Sequence, residues 1–207
     1  MKKHTPTHIG IIPDGNRRWA AAHGMEKQSG YQYGLQPGLR LLQLARQAGI
    51  QEISYYGFTK DNCKRPPGQV AAFRQACVDA VELLSRDGAD LLVVGDSRSP
   101  CFPPQLLPYT RRTPVNGGGI RVNFLVNYGW QWDLAGLGDG GQPHSQDVSR
   151  MDLIIRWGGM RRLSGFLPIQ SVYSDFYVVD HLWPDFSDQD FFDALAWYAK
   201  QDVTLGG

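Results

Sequence analysis

Apolar residues along the chain follow two spacings. Short continuous runs mark buried strands: His8-Ile9-Gly10-Ile11-Ile12, Glu52 to Phe58, Asp90 to Val94, Ile120 to Val126, Leu153 to Arg156 and Phe176 to Val179. Pro13-Asp14-Gly15 stops the first run and Gly95-Asp96-Ser97 the third. Between the runs the spacing becomes helical. Arg17 to Ala22 is one helix. Leu35, Leu39, Leu42 and Ala45 form a second, with Pro37 tolerated near its start and Gly49 at its end. Val70, Phe73, Cys77, Val81 and Leu84 make the stripe of a long helix after Pro66-Pro67. Ser187-Asp188-Gln189-Asp190 caps a last helix, Phe191 to Lys200. Pro100, Pro103, Pro104 and Pro108 leave their stretch mostly irregular, with a short helix at most. Gly136 to Ser145, Gly-rich and polar, reads as a mobile loop.

Strands that alternate with helices predict an α/β fold: a central, mostly parallel sheet surrounded by helices. No repeat or linker divides the 207 residues, so 1–207 is expected to be a single domain. Ligands of such sheets bind at the carboxyl ends of the strands.

Composition narrows the function. A formal net charge of +1 gives no reason to expect a nucleic-acid partner. No apolar run approaches the ~20 residues of a transmembrane segment, and the short run after basic Met1-Lys2-Lys3-His4 is broken too early for a signal peptide. Cys63, Cys77 and Cys101 show no paired spacing, which reads as reduced thiols in a cytoplasmic protein. The five His are scattered, without a Cys/His metal cluster.

Three segments at strand ends carry candidate chemistry. In Asp14-Gly15-Asn16-Arg17-Arg18-Trp19 a carboxylate precedes a helix start, whose N–H groups favour an anion. A carboxylate beside a diphosphate suits Mg²⁺, a hard ion that prefers oxygen ligands. Arg156-Trp157-Gly158-Gly159-Met160-Arg161-Arg162-Leu163-Ser164 combines guanidinium forks with glycines that let backbone N–H groups come close to phosphate. Phe58-Thr59-Lys60-Asp61-Asn62-Cys63-Lys64-Arg65-Pro66 adds hydroxyl, amide and guanidinium groups. Alone, the first and third are also ordinary turns. Together they describe one polycationic site, and no GxGxxG, Walker loop or Ser/His/Asp set competes. Gly117-Gly118-Gly119 precedes a strand, not a helix, so it is not a nucleotide fingerprint.

These segments, with Tyr56-Gly57-Phe58-Thr59, Gly95-Asp96, Asn127-Tyr128-Gly129 and Leu182-Trp183-Pro184-Asp185-Phe186, resemble the undecaprenyl diphosphate synthase (cis-prenyltransferase) family in order and spacing over about residues 7–207. The resemblance implies a hydrophobic tunnel between sheet and helices, a homodimer, and condensation of an allylic prenyl diphosphate with isopentenyl diphosphate or a second allylic diphosphate, assisted by Mg²⁺. It carries Asp14, Asn62 and Arg65 over as catalytic residues. Gly15, Asn16, Arg17, Arg18, Trp19, Lys27, Tyr31, Phe58, Thr59, Arg156, Arg162 and Ser164 become substrate-binding residues, and Asp14 and Asp175 metal ligands, Asp175 from the partner subunit.

The chain also departs from the family. Lys27 stands for an Arg, Tyr31 for a His, Cys63 for a Trp, Met160-Arg161 for Glu-His and Asp175 for a Glu. Val203-Thr204-Leu205-Gly206-Gly207 replaces an ending with a phosphate-binding Arg, and the segment from Trp132 to Met151 is short. These changes fit a short-chain or specialised prenyltransferase better than a long-chain synthase. The same fold also leaves room for a prenyl diphosphate cyclase or lyase, and for a non-catalytic partner subunit.

Overall fold

The computed structural model describes residues 4–114 and 119–202. Met1-Lys2-Lys3, Gly117-Gly118 and the Val203–Gly207 ending lie outside the described residues. All six expected strands form: β1 (His8–Ile12), β2 (Glu52–Thr59), β3 (Asp90–Val94), β4 (Arg121–Tyr128), β5 (Leu153–Arg156) and β6 (Asp175–Val178). They make one parallel sheet in the order β3-β4-β2-β1-β5-β6. The helices are α1 (Asn16–Ala22), α2 (Gly30–Tyr33), α3 (Leu35–Gln47), α4 (Pro67–Arg86), α5 (Trp130–Ala135) and α6 (Asp188–Tyr198). The proline-rich stretch holds a 3₁₀ helix, Pro104–Thr110.

Alternation along each strand sends successive side chains to opposite faces. Ile9, Ile11, Ile53, Tyr55, Leu91, Val93, Val122, Phe124, Leu153 and Ile155 join residues of α3, α4 and α6 in one core. Ile12, Leu92, Val94, Leu125 and Ile154 face the other way, onto Val148, Met151, Phe166 and Leu167. Helices thus cover one face fully, while α5 and irregular chain cover the other. No helix among the described residues is long and apolar enough to cross a membrane.

The structure adds to one sequence expectation and corrects another. Gly136 to Ser145, expected as a loop, is anchored at its Ser145 end. Its 3₁₀ turn, Gly138–Gly140, leads into a segment pinned by the buried Asp133 carboxylate, which accepts from Tyr128 Oη (2.6 Å), Ser145 N (2.8 Å) and Ser145 Oγ (2.8 Å). Gln170 Nε2 donates to Ser145 Oγ at 2.9 Å from the next loop. A buried carboxylate with three donors is satisfied, and it ties the short segment to the sheet. The cysteines are also not all reduced: Cys63 and Cys101 form a disulfide across 38 residues, with Cα atoms 6.3 Å apart. Pairing set by the fold leaves no signature in sequence spacing. Cys77 is free and buried, and burial pushes its thiol up to about 12.

Candidate active site

The carboxyl ends of β1, β2 and β5 open into a cavity of about 610 Å³ that continues between the sheet, α3 and α4. Its lining includes five cationic side chains, Arg17, Arg18, Lys27, Arg65 and Arg156, against two carboxylates, Asp14 and Asp61. Deeper in, the lining is Leu35, Leu39, Tyr55, Ala76, Cys77, Ala80, Leu83, Leu84 and Phe124. A chain near neutrality therefore concentrates positive charge at the mouth of an apolar chamber.

Asp14 and Arg156 form the centre of the mouth. Parallel pairing sets Ile12 of β1 beside Arg156 of β5, so the residue after Pro13 and the last residue of β5 meet. Arg156 Nη2 donates to Asp14 Oδ2 at 3.0 Å. Arg156 Nη1 donates to Ser164 Oγ at 3.0 Å and to the Arg162 carbonyl. The side chain is 5% exposed, and its Nε has no partner. A buried guanidinium with one unsatisfied donor keeps its charge at the cavity mouth, where an anion would be favoured. Gly158 must be glycine: its φ is +87°, and a Cβ there would stand 2.5 Å from Arg18 Nη2 and 3.1 Å from the Asp14 carbonyl. That approach lets Arg18 Nη2 donate to the Gly158 carbonyl at 2.9 Å. Gly15, at φ +115°, starts α1 with no side chain capping it.

On the β2 side, Asn62 Oδ1 accepts from Thr59 N at 3.1 Å in a capping box that fixes the 3₁₀ turn Lys60–Lys64. Arg65 Nη1 donates to Tyr31 Oη at 2.9 Å. Tyr31 stacks on Phe73, with centroids 4.3 Å apart, and the Arg65 guanidinium lies 5.5 Å from that ring. Burial lowers the Arg65 pKa, and the neighbouring Arg17 adds to that, but Tyr31 opposes it.

A metal fits this mouth only in part through protein ligands. No group of three or more His, Cys, Asp or Glu that could hold an ion occurs among the described residues. Asp14, a third exposed, suits Mg²⁺, which commonly takes one or two carboxylates and completes its shell with substrate phosphates and water. Asp175 is not beside it. It starts β6 opposite Leu153, at the other end of the strand from Arg156, so one chain cannot bring both carboxylates to one ion.

Most expected site residues line the cavity: Asp14, Gly15, Asn16, Arg17, Arg18, Lys27, Tyr31, Thr59, Asn62, Arg65, Arg156 and Ser164. Three do not. Trp19 donates Nε1 to Asp185 Oδ1 at 2.6 Å and stacks on His23. Phe58, fully buried, faces the core and meets Phe73 edge-on. The Arg162 side chain is exposed, and its carbonyl is what holds Arg156. The glycine amides are also occupied: Gly158 N donates to the His181 carbonyl at 2.7 Å and Gly159 N to Val179 at 3.1 Å. At this end of β5 the cradle is thus guanidinium rather than the Gly158 and Gly159 amides. Tyr55, Tyr56, Phe124 and Trp183 were missed as lining residues. Register shifts of β2 against β4 between Tyr56 and Thr59 break the period of two there, so alternation alone did not mark the lining.

Comparison with known proteins gives the family. The model of the family described as "Putative undecaprenyl diphosphate synthase" matches residues 12–137 and 142–206. A ditrans,polycis-undecaprenyl-diphosphate synthase of Pectobacterium atrosepticum is 34% identical over 98% of this chain and 90% of its own length. The corresponding Escherichia coli K12 enzyme is 32% identical over 100% and 92%. In fold, the chain is similar to lavandulyl diphosphate synthase from Lavandula x intermedia, solved with dimethylallyl diphosphate. That likeness has a TM-score of 0.83 at 24% identity and covers 98% of this chain and 99% of the other. The chain belongs to the undecaprenyl diphosphate synthase, or cis-prenyltransferase, family of prenyl-transferring enzymes.

Proposed function

We propose that this prenyltransferase condenses an allylic prenyl diphosphate with isopentenyl diphosphate, or with a second allylic diphosphate, to give a short-chain or specialised product. The observation that carries this reading is one cavity with Arg156 and other clustered cations at its mouth and apolar walls behind. Arg156, Arg17, Arg18 and Arg65 would hold diphosphate oxygens and stabilise the charge that grows on the leaving group, commonly the largest catalytic term. Asn62 and Arg65 would fix the second substrate over the reacting carbon, and the apolar walls would exclude water from the cation formed there. Mg²⁺, held at Asp14 and by the substrate, would supply further charge to the departing diphosphate. A homodimer belongs to this proposal, because Asp175 reaches a metal only across subunits. It is supported by β6, a sheet edge flanked by exposed Val172 and Tyr173. A cytoplasmic location rests on the family likeness alone, since the disulfide removes the thiol argument.

The test incubates the protein and Mg²⁺ with dimethylallyl, geranyl or farnesyl diphosphate, each with and without isopentenyl diphosphate, followed by mass spectrometry. Products longer by five-carbon units only with isopentenyl diphosphate are expected, with loss of turnover in EDTA and in Asp14→Asn. Products from one allylic diphosphate alone would replace condensation by irregular coupling or cyclisation. Wild-type protein that never turns over would leave the partner-subunit reading.

A further inference from the structure

Two cysteines stand beside the site without a place in its chemistry. Cys63 directly follows Asn62 in the 3₁₀ turn Lys60–Lys64, and Asp61, Asn62 and Arg65 line the cavity. Its disulfide partner, Cys101, belongs to the loop beyond β3. That loop is the firmer side. Phe102 is buried in the helix-covered core, and its N–H donates to the Ser99 carbonyl at 3.0 Å. The turn is the looser side: Lys60, Asp61 and Lys64 are exposed. Apart from its own capping box, the turn is tied to the loop by Lys60 and Asp96 at 2.8 Å, a partly exposed pair that salt screens. The covalent bond is therefore the stronger tie between the turn and the body of the protein.

Asn127 suits both redox states of that bond. It is fully buried near the end of β4, and its Nδ2 donates to the Asp96 carbonyl at 2.9 Å. Its Oδ1 stands 3.3 Å from Cys63 Sγ. Disulfide sulfur has no hydrogen to give, whereas a Cys63 thiol can donate to this acceptor. A buried amide oxygen is costly to leave unpaired, so reduction gains a hydrogen bond that offsets part of what the broken bond loses. Cys63 and Cys101 are half-buried, within reach of a small dithiol, while Cys77 is fully buried.

We propose that Cys63 and Cys101 are a redox-sensitive positioning pair: the disulfide holds Asn62 and Arg65 in place for the second substrate, and a dithiol releases them. This rests on the condensation reading above, in which those two side chains fix that substrate. Release takes two thiol–disulfide exchanges. A thiolate of the dithiol attacks one sulfur, the S–S bond breaks, and the second thiol resolves the mixed disulfide. The dithiol ends as a cyclic disulfide. Its two electrons and two protons end on Cys63 and Cys101 as thiols. The cytoplasmic location proposed above favours this use, since disulfides in reducing compartments are commonly redox-sensing.

Protein oxidised with a small disulfide, then denatured and alkylated, should show Cys77 as its one free thiol, and all three cysteines should react after dithiothreitol. Three reactive thiols in both samples would deny the pair. Reduction should speed amide hydrogen exchange at residues 60–65 by at least ~10-fold and leave the strands unchanged. It should also lower kcat/KM for isopentenyl diphosphate by at least ~10-fold, because a positioning group displaced by about 1 Å can cost ~10²-fold. Reoxidation should restore both. Unreactive geranyl thiolodiphosphate should bind equally in the two states; a matching loss of its affinity would make the bond a general support and overturn the positioning role. Cys101→Ser should match reduced wild type and ignore dithiothreitol; a variant that still responds would overturn the proposal. If exchange follows the redox state while no substrate is ever turned over, the condensation reading fails and the lock on the turn stands. If turnover proceeds equally in both states, the lock fails alone. Should Cys101→Ser not fold, the reversible response of the wild type decides.

Discussion

Asp14 and Arg156 bind each other at 3.0 Å, but removing one is not like removing the other. Arg156 is 5% exposed, and Asp14 is 35% exposed. Asp14→Ala strands a buried guanidinium, at a cost toward the lower end of about 3–5 kcal/mol, because solvent already reaches the pair through Asp14. Asp14→Asn keeps an oxygen for Arg156 and is the cleaner probe of the carboxylate. Arg156→Gln leaves an aspartate that water can solvate, so its melting temperature should stay within a few degrees of wild type. Its kcat/KM should fall by about 10²–10³-fold, as for loss of one preorganised charge-stabilising donor. Steady-state kinetics beside a thermal melt checks both; a fall in melting temperature without loss of kcat/KM would make Arg156 structural.

The disulfide acts on an element. Cys63 lies in the 3₁₀ turn that carries Asn62, and Cys101 in the loop beyond β3; Lys60 pairs with Asp96 at 2.8 Å across the same gap. Closing a 38-residue loop restricts the unfolded chain and is worth about 4 kcal/mol in the chain-entropy account. Cys101→Ser should therefore lose about 2–4 kcal/mol in urea unfolding and match reduced wild type; equal midpoints for oxidised and reduced protein would deny the bond. This is also where the sequence stops being legible. All six strands, α3, α4 and α6 could be read, because each repeats a burial period over many residues. The Asp14 and Arg156 ends could be read because a parallel sheet gathers strand ends. The Cys63–Cys101 bond and the Asp133 clamp could not, since each joins segments whose separation along the chain is arbitrary. Trp19, Phe58 and Arg162 lie off the cavity wall for a related reason: a motif names neighbours in sequence, while side-chain direction comes from packing.

Across the whole molecule, the two ends of the sheet do different work. The carboxyl ends hold the cavity. At the amino ends of β1, β2 and β4 lies a buried polar knot of His8, Glu52, Ser54 and Asn123, each no more than 1% exposed. His8 Nε2 meets Ser54 Oγ at 2.9 Å and its Nδ1 meets the Ser149 carbonyl at 3.0 Å. Glu52 accepts from Asn123 Nδ2 at 2.7 Å and Ser149 Oγ at 2.7 Å, and pairs with Arg121 at 2.8 Å. Arg112 braces Asn123 Oδ1 at 2.6 Å, and the Asp152 carboxylate accepts from His8 N at 3.1 Å. Burial lowers the His8 imidazole below its ordinary 6.5, although Glu52 pulls the other way. Burial alone would raise Glu52, but His8, Asn123, Ser149 and Arg121 hold it below 4.5. Both groups therefore bind protons more readily in the unfolded chain, so both make stability rise with pH. The His8 contribution is complete above about pH 6.5 and drains as pH falls toward its folded value; the Glu52 contribution drains below about 4.5. Each adds at most about 1.4 kcal/mol per pH unit. Melting curves from pH 8 to 5 should fall below 6.5, and His8→Gln should flatten that fall while leaving the loss below 4.5. A wild-type melting temperature that rises on acidification through 6.5 would refute a neutral buried His8. Because the knot sits a full strand length from Arg156, acid should loosen the fold before it alters substrate affinity, and KM measured on the folded fraction should hold through the window in which stability declines.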